Sequence, residues 1–129
     1  MDKPFTILIV DDSAMMRTML KRAVLLASDD VEIAEAANGR EAIGVMEARP
    51  VDAVFTDINM PVMTGVEMLR EMTCRGWDQI HRVVVSTDGS DARRDEVRDL
   101  NVALYVRKPL APETIRDVLV ELRYAHASH

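Results

Sequence analysis

Residues 7–12 read Ile-Leu-Ile-Val-Asp-Asp, and residues 51–57 read Val-Asp-Ala-Val-Phe-Thr-Asp. Both apolar runs are short, rich in β-branched or aromatic residues and largely without a period of two, which is typical of parallel strands buried on both faces. Asp11 and Asp12 end the first run, and Asp57 ends the second. Ligands of open α/β sheets bind beyond the carboxyl ends of the strands. We therefore expect three carboxylates to meet at that edge of a parallel sheet.

Two further apolar runs, at 83–85 and 104–106, bring other polar groups to the same edge. The first is followed by Ser86 and Thr87, and the second leads to Lys108. Clustered carboxylates repel one another unless a cation neutralises them, and oxygen ligands suit Mg²⁺. Carboxylates, Mg²⁺, a hydroxyl and an ammonium group are together what a site needs to transfer and hold a phosphoryl group.

Strand and helix patterns alternate five times along the chain. Helices are predicted after a Ser13 cap, at about 40–48, 66–73 and 91–100, and from Pro112 onwards, while 124–129 is expected to be a frayed tail. The first helix has an apolar stripe at helical spacing, formed by Met16, Met19, Leu20, Ala23, Val24 and Ala27. Alternating elements with short connections predict an α/β fold, a parallel sheet with helices on both faces.

The composition of the chain argues against several classes of function. The 129 residues predict one domain, and a formal charge of −6 argues against nonspecific binding to nucleic acid or anionic membranes. The single cysteine cannot form an internal disulfide and fits a reducing compartment, so we expect a cytoplasmic protein. The start resembles no signal peptide, and no apolar stretch approaches the roughly 18 residues of a membrane span.

Four motifs in register carry a family resemblance. The stretches ILIVDDS (7–13), TDINMPVMTG (56–65), VVVST (83–87) and LYVRKP (104–109) resemble the receiver domain of two-component response regulators, in particular its single-domain, CheY-like members. The resemblance covers almost the whole chain, which we therefore expect to be one receiver domain over 1–129. It implies a flavodoxin-like, doubly wound sheet of five parallel strands in the order 2-1-3-4-5, with five helices.

The resemblance also implies a role for each site residue. Asp57 would be the phosphoacceptor, and Asp11 and Asp12 would hold Mg²⁺ together with Asp57 and the backbone carbonyl of Asn59. Lys108 would neutralise a phosphoryl oxygen, and catalysis would extend only to the domain's own phosphorylation and dephosphorylation. We therefore do not expect an enzyme.

A second set of implied roles concerns the switch. Ser86 would hydrogen-bond the phosphoryl group, and Tyr105 would then turn inward. Asn59 and Asp88 would tune dephosphorylation, and a cis peptide would join Lys108 to Pro109. Thr87 departs from the small residue usual in the family and is expected to narrow access to the site.

The resemblance implies a histidine kinase as phosphodonor and an output partner on the face formed by the fourth helix, fifth strand and fifth helix. A chemotaxis switch is the first hypothesis, with the flagellar motor switch or a phosphatase as partner and no attached output domain. A phosphorelay intermediate, a phosphate sink and an excised receiver of a hybrid kinase are alternatives. A small-molecule phosphohydrolase is disfavoured, because the sequence after the first strand lacks its D-x-D pattern and the chain has no room for a cap domain.

Overall fold

The computed structural model describes residues 4–108 and 110–127, in which five strands alternate with five helices. The strands are β1 (Phe5–Val10), β2 (Val31–Ala36), β3 (Ala53–Thr56), β4 (His81–Ser86) and β5 (Val102–Arg107). The helices are α1 (Ala14–Ala27), α2 (Gly39–Ala48), α3 (Gly65–Cys74), α4 (Asp91–Glu96) and α5 (Pro112–Ala127). Neighbouring strands are parallel and follow the order β2-β1-β3-β4-β5. The predicted flavodoxin-like α/β fold is confirmed.

The sheet is buried on both faces, which explains the continuous apolar runs of β1 and β3. Along β1, Ile7 and Ile9 belong to one core, and Leu8 and Val10 belong to the other. Helices α1 and α5 close the first core with Leu20, Val24, Ile115, Val118, Leu119 and Leu122. Helices α2 and α3 close the second core with Ala42, Ile43, Met46, Met68, Leu69 and Met72.

Helix α1 begins as predicted, but its buried face is narrower than the predicted stripe. The Ser13 side chain caps the helix by accepting the N–H of Met16 at 3.2 Å. Leu20 and Val24 are buried, whereas Met19 is 54% exposed. Met19 therefore belongs to the predicted stripe but not to the buried face, since helical spacing does not show how wide a stripe the neighbouring elements can cover.

Helix α4 ends at Glu96 rather than at the predicted Leu100. The cause lies in the sheet, where the Arg82 side chain is fully buried and donates to the Leu100 carbonyl at 2.8 Å. Val97 is buried in the second core, and Asn101 turns the chain towards β5 with a φ of 57°. The segment 97–101 is thus held by tertiary contacts in a conformation that leaves the helix.

Helix α5 extends through Ala127, and residues 1–3, 109, 128 and 129 lie outside the described residues. The predicted fraying of 124–129 stays a prediction. Among the helices that the structure describes, none is both long and apolar enough to cross a lipid bilayer.

Candidate functional site

Hydrogen bonds continue the parallel ladder one residue beyond several strands and thereby position the site. Asp11 donates its N–H to the Ala36 carbonyl at 3.1 Å, and Asp57 donates to Val10 at the same distance. At the other side of the sheet, the N–H of Lys108 donates to the Ser86 carbonyl at 2.8 Å. These residues therefore lie on hydrogen-bonded strand ends rather than on free loops.

The three carboxylates meet at this edge as the sequence predicts. One oxygen each from Asp11, Asp12 and Asp57 lies within 4.8 Å of the other two. Asp11 is buried, Asp57 is partly buried and Asp12 is exposed, so the cluster opens to solvent on one side. Three close carboxylates with an open side fit a hard divalent cation such as Mg²⁺, which keeps several water ligands.

Lys108 supplies positive charge to the cluster. Its Nζ donates to Asp11 Oδ2 at 2.9 Å and to Asp57 Oδ2 at 3.2 Å, and the Lys108 side chain is only 9% exposed. Burial by itself would lower the pKa of Lys108, but hydrogen bonds and charge from Asp11 and Asp57 outweigh it and raise that pKa above its ordinary value. One ammonium facing three carboxylates leaves an excess negative charge that a divalent cation can balance.

Backbone N–H groups fix the orientation of two of the carboxylates. Asp11 Oδ1 accepts the N–H of Ser13 at 2.9 Å, and Asp57 Oδ1 accepts the N–H of Ile58 at 2.7 Å. The Arg17 guanidinium donates to the Asp11 carbonyl at 2.6 Å, a contact that sequence reasoning missed. No sequence signal separates this arginine from the exposed basic residues of a helix.

The backbone of Asp57 is held at close range by the start of α3. The Gly65 N–H donates to the Ile58 carbonyl at 2.8 Å, and a Cβ added at Gly65 would lie 2.1 Å from the Asp57 carbonyl oxygen. Glycine is needed here for room. The glycine of the 56–65 motif gives the signal, although its physical reason emerges only from the fold.

The predicted switch residues surround the β4–α4 connection. Ser86 is buried, and its hydroxyl accepts the N–H of Asp88 at 3.1 Å. The Tyr105 hydroxyl donates to the Asp88 carbonyl, so Tyr105 contacts this connection. Thr87 is exposed beside Ser86.

The two residues expected to tune dephosphorylation have different surroundings. Asn59 is exposed two residues after Asp57. Asp88 Oδ1 accepts the Ser90 N–H at 2.9 Å, and hydrogen bonds with Ser90, aided by the charge of Arg93, lower the pKa of Asp88. The predicted cis peptide between Lys108 and Pro109 falls outside the described residues.

Comparison with known proteins identifies the family to which this chain belongs. A family model described as "Response regulator receiver domain" matches residues 7–120. The chain belongs to the response regulator receiver domain family, whose members are signalling domains of two-component systems. Mg²⁺ binding and phosphoaspartate are general features of this family, and its members interact with histidine kinases and output targets.

The relatives differ in how much of their own length this chain covers. The chain is 35% identical to the nitrate/nitrite response regulator protein NarL of Escherichia coli over 130 residues, which is 97% of this chain but 56% of NarL. It is 28% identical to a chemotaxis protein CheY homolog of Campylobacter jejuni over 118 residues, covering 90% of each. The structure of the Vibrio cholerae chemotaxis protein CheY4 superposes with a TM-score of 0.82 at 28% identity, covering 92% of this chain and 98% of CheY4.

Proposed function

We propose that the chain is a phosphorylation-controlled switch that accepts a phosphoryl group from a histidine kinase onto Asp57. The convergence of Asp11, Asp12, Asp57 and Lys108 at one sheet edge carries this proposal. The single cysteine supports a reducing compartment such as the cytoplasm. Catalysis is limited to the domain's own phosphorylation and dephosphorylation.

The chemistry follows from the groups around Asp57. An Asp57 carboxylate oxygen attacks the phosphorus of a phosphohistidine, the P–O bond forms, and the P–N bond breaks as the imidazole leaves. Asp57 is oriented by the Ile58 N–H, and the Lys108 ammonium beside it neutralises charge on the transferred group. Mg²⁺, when held by the three aspartates and the Asn59 carbonyl, would add further charge neutralisation.

The signal is passed on through Ser86 and Tyr105. Once Asp57 is phosphorylated, the buried Ser86 hydroxyl exchanges the Asp88 N–H for a phosphoryl oxygen. Because Asp88 also contacts Tyr105, this exchange shifts the β4–α4 connection and the face formed by α4, β5 and α5. We propose that the output partner binds this face.

Intact mass after incubation with acetyl phosphate and Mg²⁺ tests the proposal. Wild type should gain one phosphoryl group, and Asp57→Asn or EDTA should abolish the gain. Asp52→Asn is a matched control, because Asp52 precedes β3 as closely as Asp57 follows it, and its carboxylate accepts the Thr6 N–H at the opposite edge. Phosphorylation of Asp57→Asn, or none of wild type with either acetyl phosphate or a histidine kinase, would refute the proposal.

We propose chemotaxis as the pathway, supported by the CheY homolog and CheY4, each of which this chain covers nearly end to end. The test is binding to the flagellar switch protein of the source organism, with and without beryllofluoride, which mimics a phosphoryl group. Stronger binding with beryllofluoride would support a motor output. Absence of binding, together with rapid return of phosphate to a histidine, would instead indicate a phosphorelay intermediate or phosphate sink.

A further inference from the structure

The Tyr105 ring makes a contact that the family motifs do not specify. The Cζ atom of Arg94 lies 4.7 Å from the centre of the Tyr105 ring. Arg94 Nε also donates to the Gly89 carbonyl at 3.4 Å, one residue after the Asp88 carbonyl that Tyr105 binds. Arg94 and Tyr105 therefore hold consecutive carbonyls of the β4–α4 connection while contacting each other.

Arg94 differs in its partners from the other arginines of this segment. Arg93 pairs with Asp88 and Glu96, and Arg98 pairs with Asp95. Across 4–108 and 110–127, no carboxylate lies within ion-pair distance of Arg94. Its charge is therefore available to the face of the ring, which attracts cations through its quadrupole.

We infer that Arg94 is a positioning residue for the switch, and that it holds Tyr105 against the β4–α4 connection. This inference rests on the proposed function, in which Ser86 and Tyr105 transmit the state of Asp57. The contacts run from Ser86 through Asp88 to Tyr105, and Arg94 packs on the Tyr105 ring at the end of this series.

The consequence is a switch in which Arg94 favours the bound position of Tyr105 independently of the state of Asp57. Phosphorylation then adds to an existing population, and it cannot add more than the fraction that remains released. Removing Arg94 should lower the ratio of bound to released Tyr105 about two- to fivefold, as expected for a cation over a partly exposed ring. The resting protein would become less active, and its response to phosphorylation would widen.

Nuclear magnetic resonance of tyrosine-labelled, unphosphorylated protein without Mg²⁺ tests the inference directly. The chain has two tyrosines, and a Tyr105→Phe spectrum assigns the Tyr105 ring. In wild type we expect strong nuclear Overhauser effects from this ring to the Asp88 and Gly89 α-protons. Arg94→Ala should weaken them and lower the population in the bound state by the stated factor. Arg98→Ala is the matched control and should leave them unchanged.

Two further variants separate charge from bulk. Arg94→Met keeps the aliphatic stem without the charge and should release Tyr105, whereas Arg94→Lys keeps the charge and should retain part of the contact. Retention of Tyr105 in Arg94→Met at the wild-type level, or identical spectra for Arg94→Ala and Arg98→Ala, would overturn the inference. If Arg94→Ala does not fold, the comparison of Tyr105 release in Arg94→Met and in Arg94→Lys tests the inference instead.

The readout also distinguishes the two proposals. It needs no phosphoryl group, so failure of Asp57 to accept phosphate would not alter it. In protein that is phosphorylated normally, an unmoved Tyr105 in the Arg94 variants would count against the role of Arg94 alone. Beryllofluoride affinity then completes the test. Because phosphorylation adds to the bound population, the dissociation constant should rise in Arg94→Ala by up to the same two- to fivefold factor.

Discussion

Replacing Gly65 by alanine should damage both the stability and the phosphorylation of this protein. The added Cβ would lie 2.1 Å from the Asp57 carbonyl oxygen and 3.0 Å from the Ile58 Cα. Both neighbours are backbone atoms, so no side-chain rotation relieves the contact. The same segment carries the hydrogen bond from the Gly65 N–H to the Ile58 carbonyl.

The magnitude follows from how far the backbone must move. Ordinary contact at 3.4 Å requires the Asp57 carbonyl and the start of α3 to separate by more than 1 Å. Overpacking of this kind should lower the free energy of unfolding by about 2–3 kcal/mol. If Asp57 takes up the movement, displacing the reacting carboxylate by ~1 Å should slow phosphorylation on the order of a hundredfold.

Gly44 offers a matched control with the opposite sign. It lies in α2, is exposed, and a Cβ there would meet nothing within 4 Å. Gly44→Ala should therefore raise the free energy of unfolding by about 0.5–1 kcal/mol, because alanine loses less conformational freedom in a helix. Urea denaturation followed by circular dichroism measures the stabilities, and the rate of mass gain with acetyl phosphate measures phosphorylation.

The two readouts locate the strain. Wild-type stability of Gly65→Ala would refute the packing argument. A loss of stability with a normal phosphorylation rate would show that α3, and not Asp57, moves to accommodate the methyl group.

Three further substitutions probe other features. Val62 is 73% exposed and has a φ of 70°, in a turn closed by the hydrogen bond from the Met63 N–H to the Pro61 carbonyl. Because this backbone conformation is strained for valine, Val62→Asn should raise the free energy of unfolding by about 0.5–1 kcal/mol, and an unchanged urea midpoint would contradict strain there. Arg82→Met should lower the free energy of unfolding by about 2–4 kcal/mol, because the buried oxygen atoms that accept from Arg82 lose their donor. Equal or greater stability in urea would show that desolvation of the guanidinium outweighs its hydrogen bonds. Lys108→Met should slow phosphorylation yet tighten Mg²⁺ binding in calorimetry, since the carboxylates lose their competing ammonium; weaker Mg²⁺ binding would contradict that competition.

The sheet and the acidic edge are predictable because they depend on local signals. Buried parallel strands need continuous apolar runs, and the residue after each run must lie at the common edge. Asp11, Asp12, Asp57, Ser86 and Lys108 are therefore placed at that edge by strand ends alone, and the strand order came from the family resemblance.

The features that were missed depend on partners distant in sequence. Arg82 opens a strand run and would ordinarily be assigned to the surface, yet backbone carbonyls from three segments bury its guanidinium. Those contacts also end α4 early, and the sequence of the predicted helix at 91–100 does not indicate this. The double contact of Lys108 with Asp11 and Asp57, and the Arg94–Tyr105 contact, require the assembled fold.

The position of α5 has a consequence for how the protein forms during synthesis. Strands β1 to β3 and their helices emerge first from the ribosome, and β1 can pair with both β2 and β3 at once. The face of the sheet carrying Ile7, Ile9 and Phe55 nevertheless stays half covered until α5, the last of the ten elements, packs beside α1. Nascent chains stalled before α5 should therefore expose an apolar surface to chaperones, although much of the acidic edge is already in place. Completion of the fold thus depends on a helix that contributes none of the three carboxylates of the site.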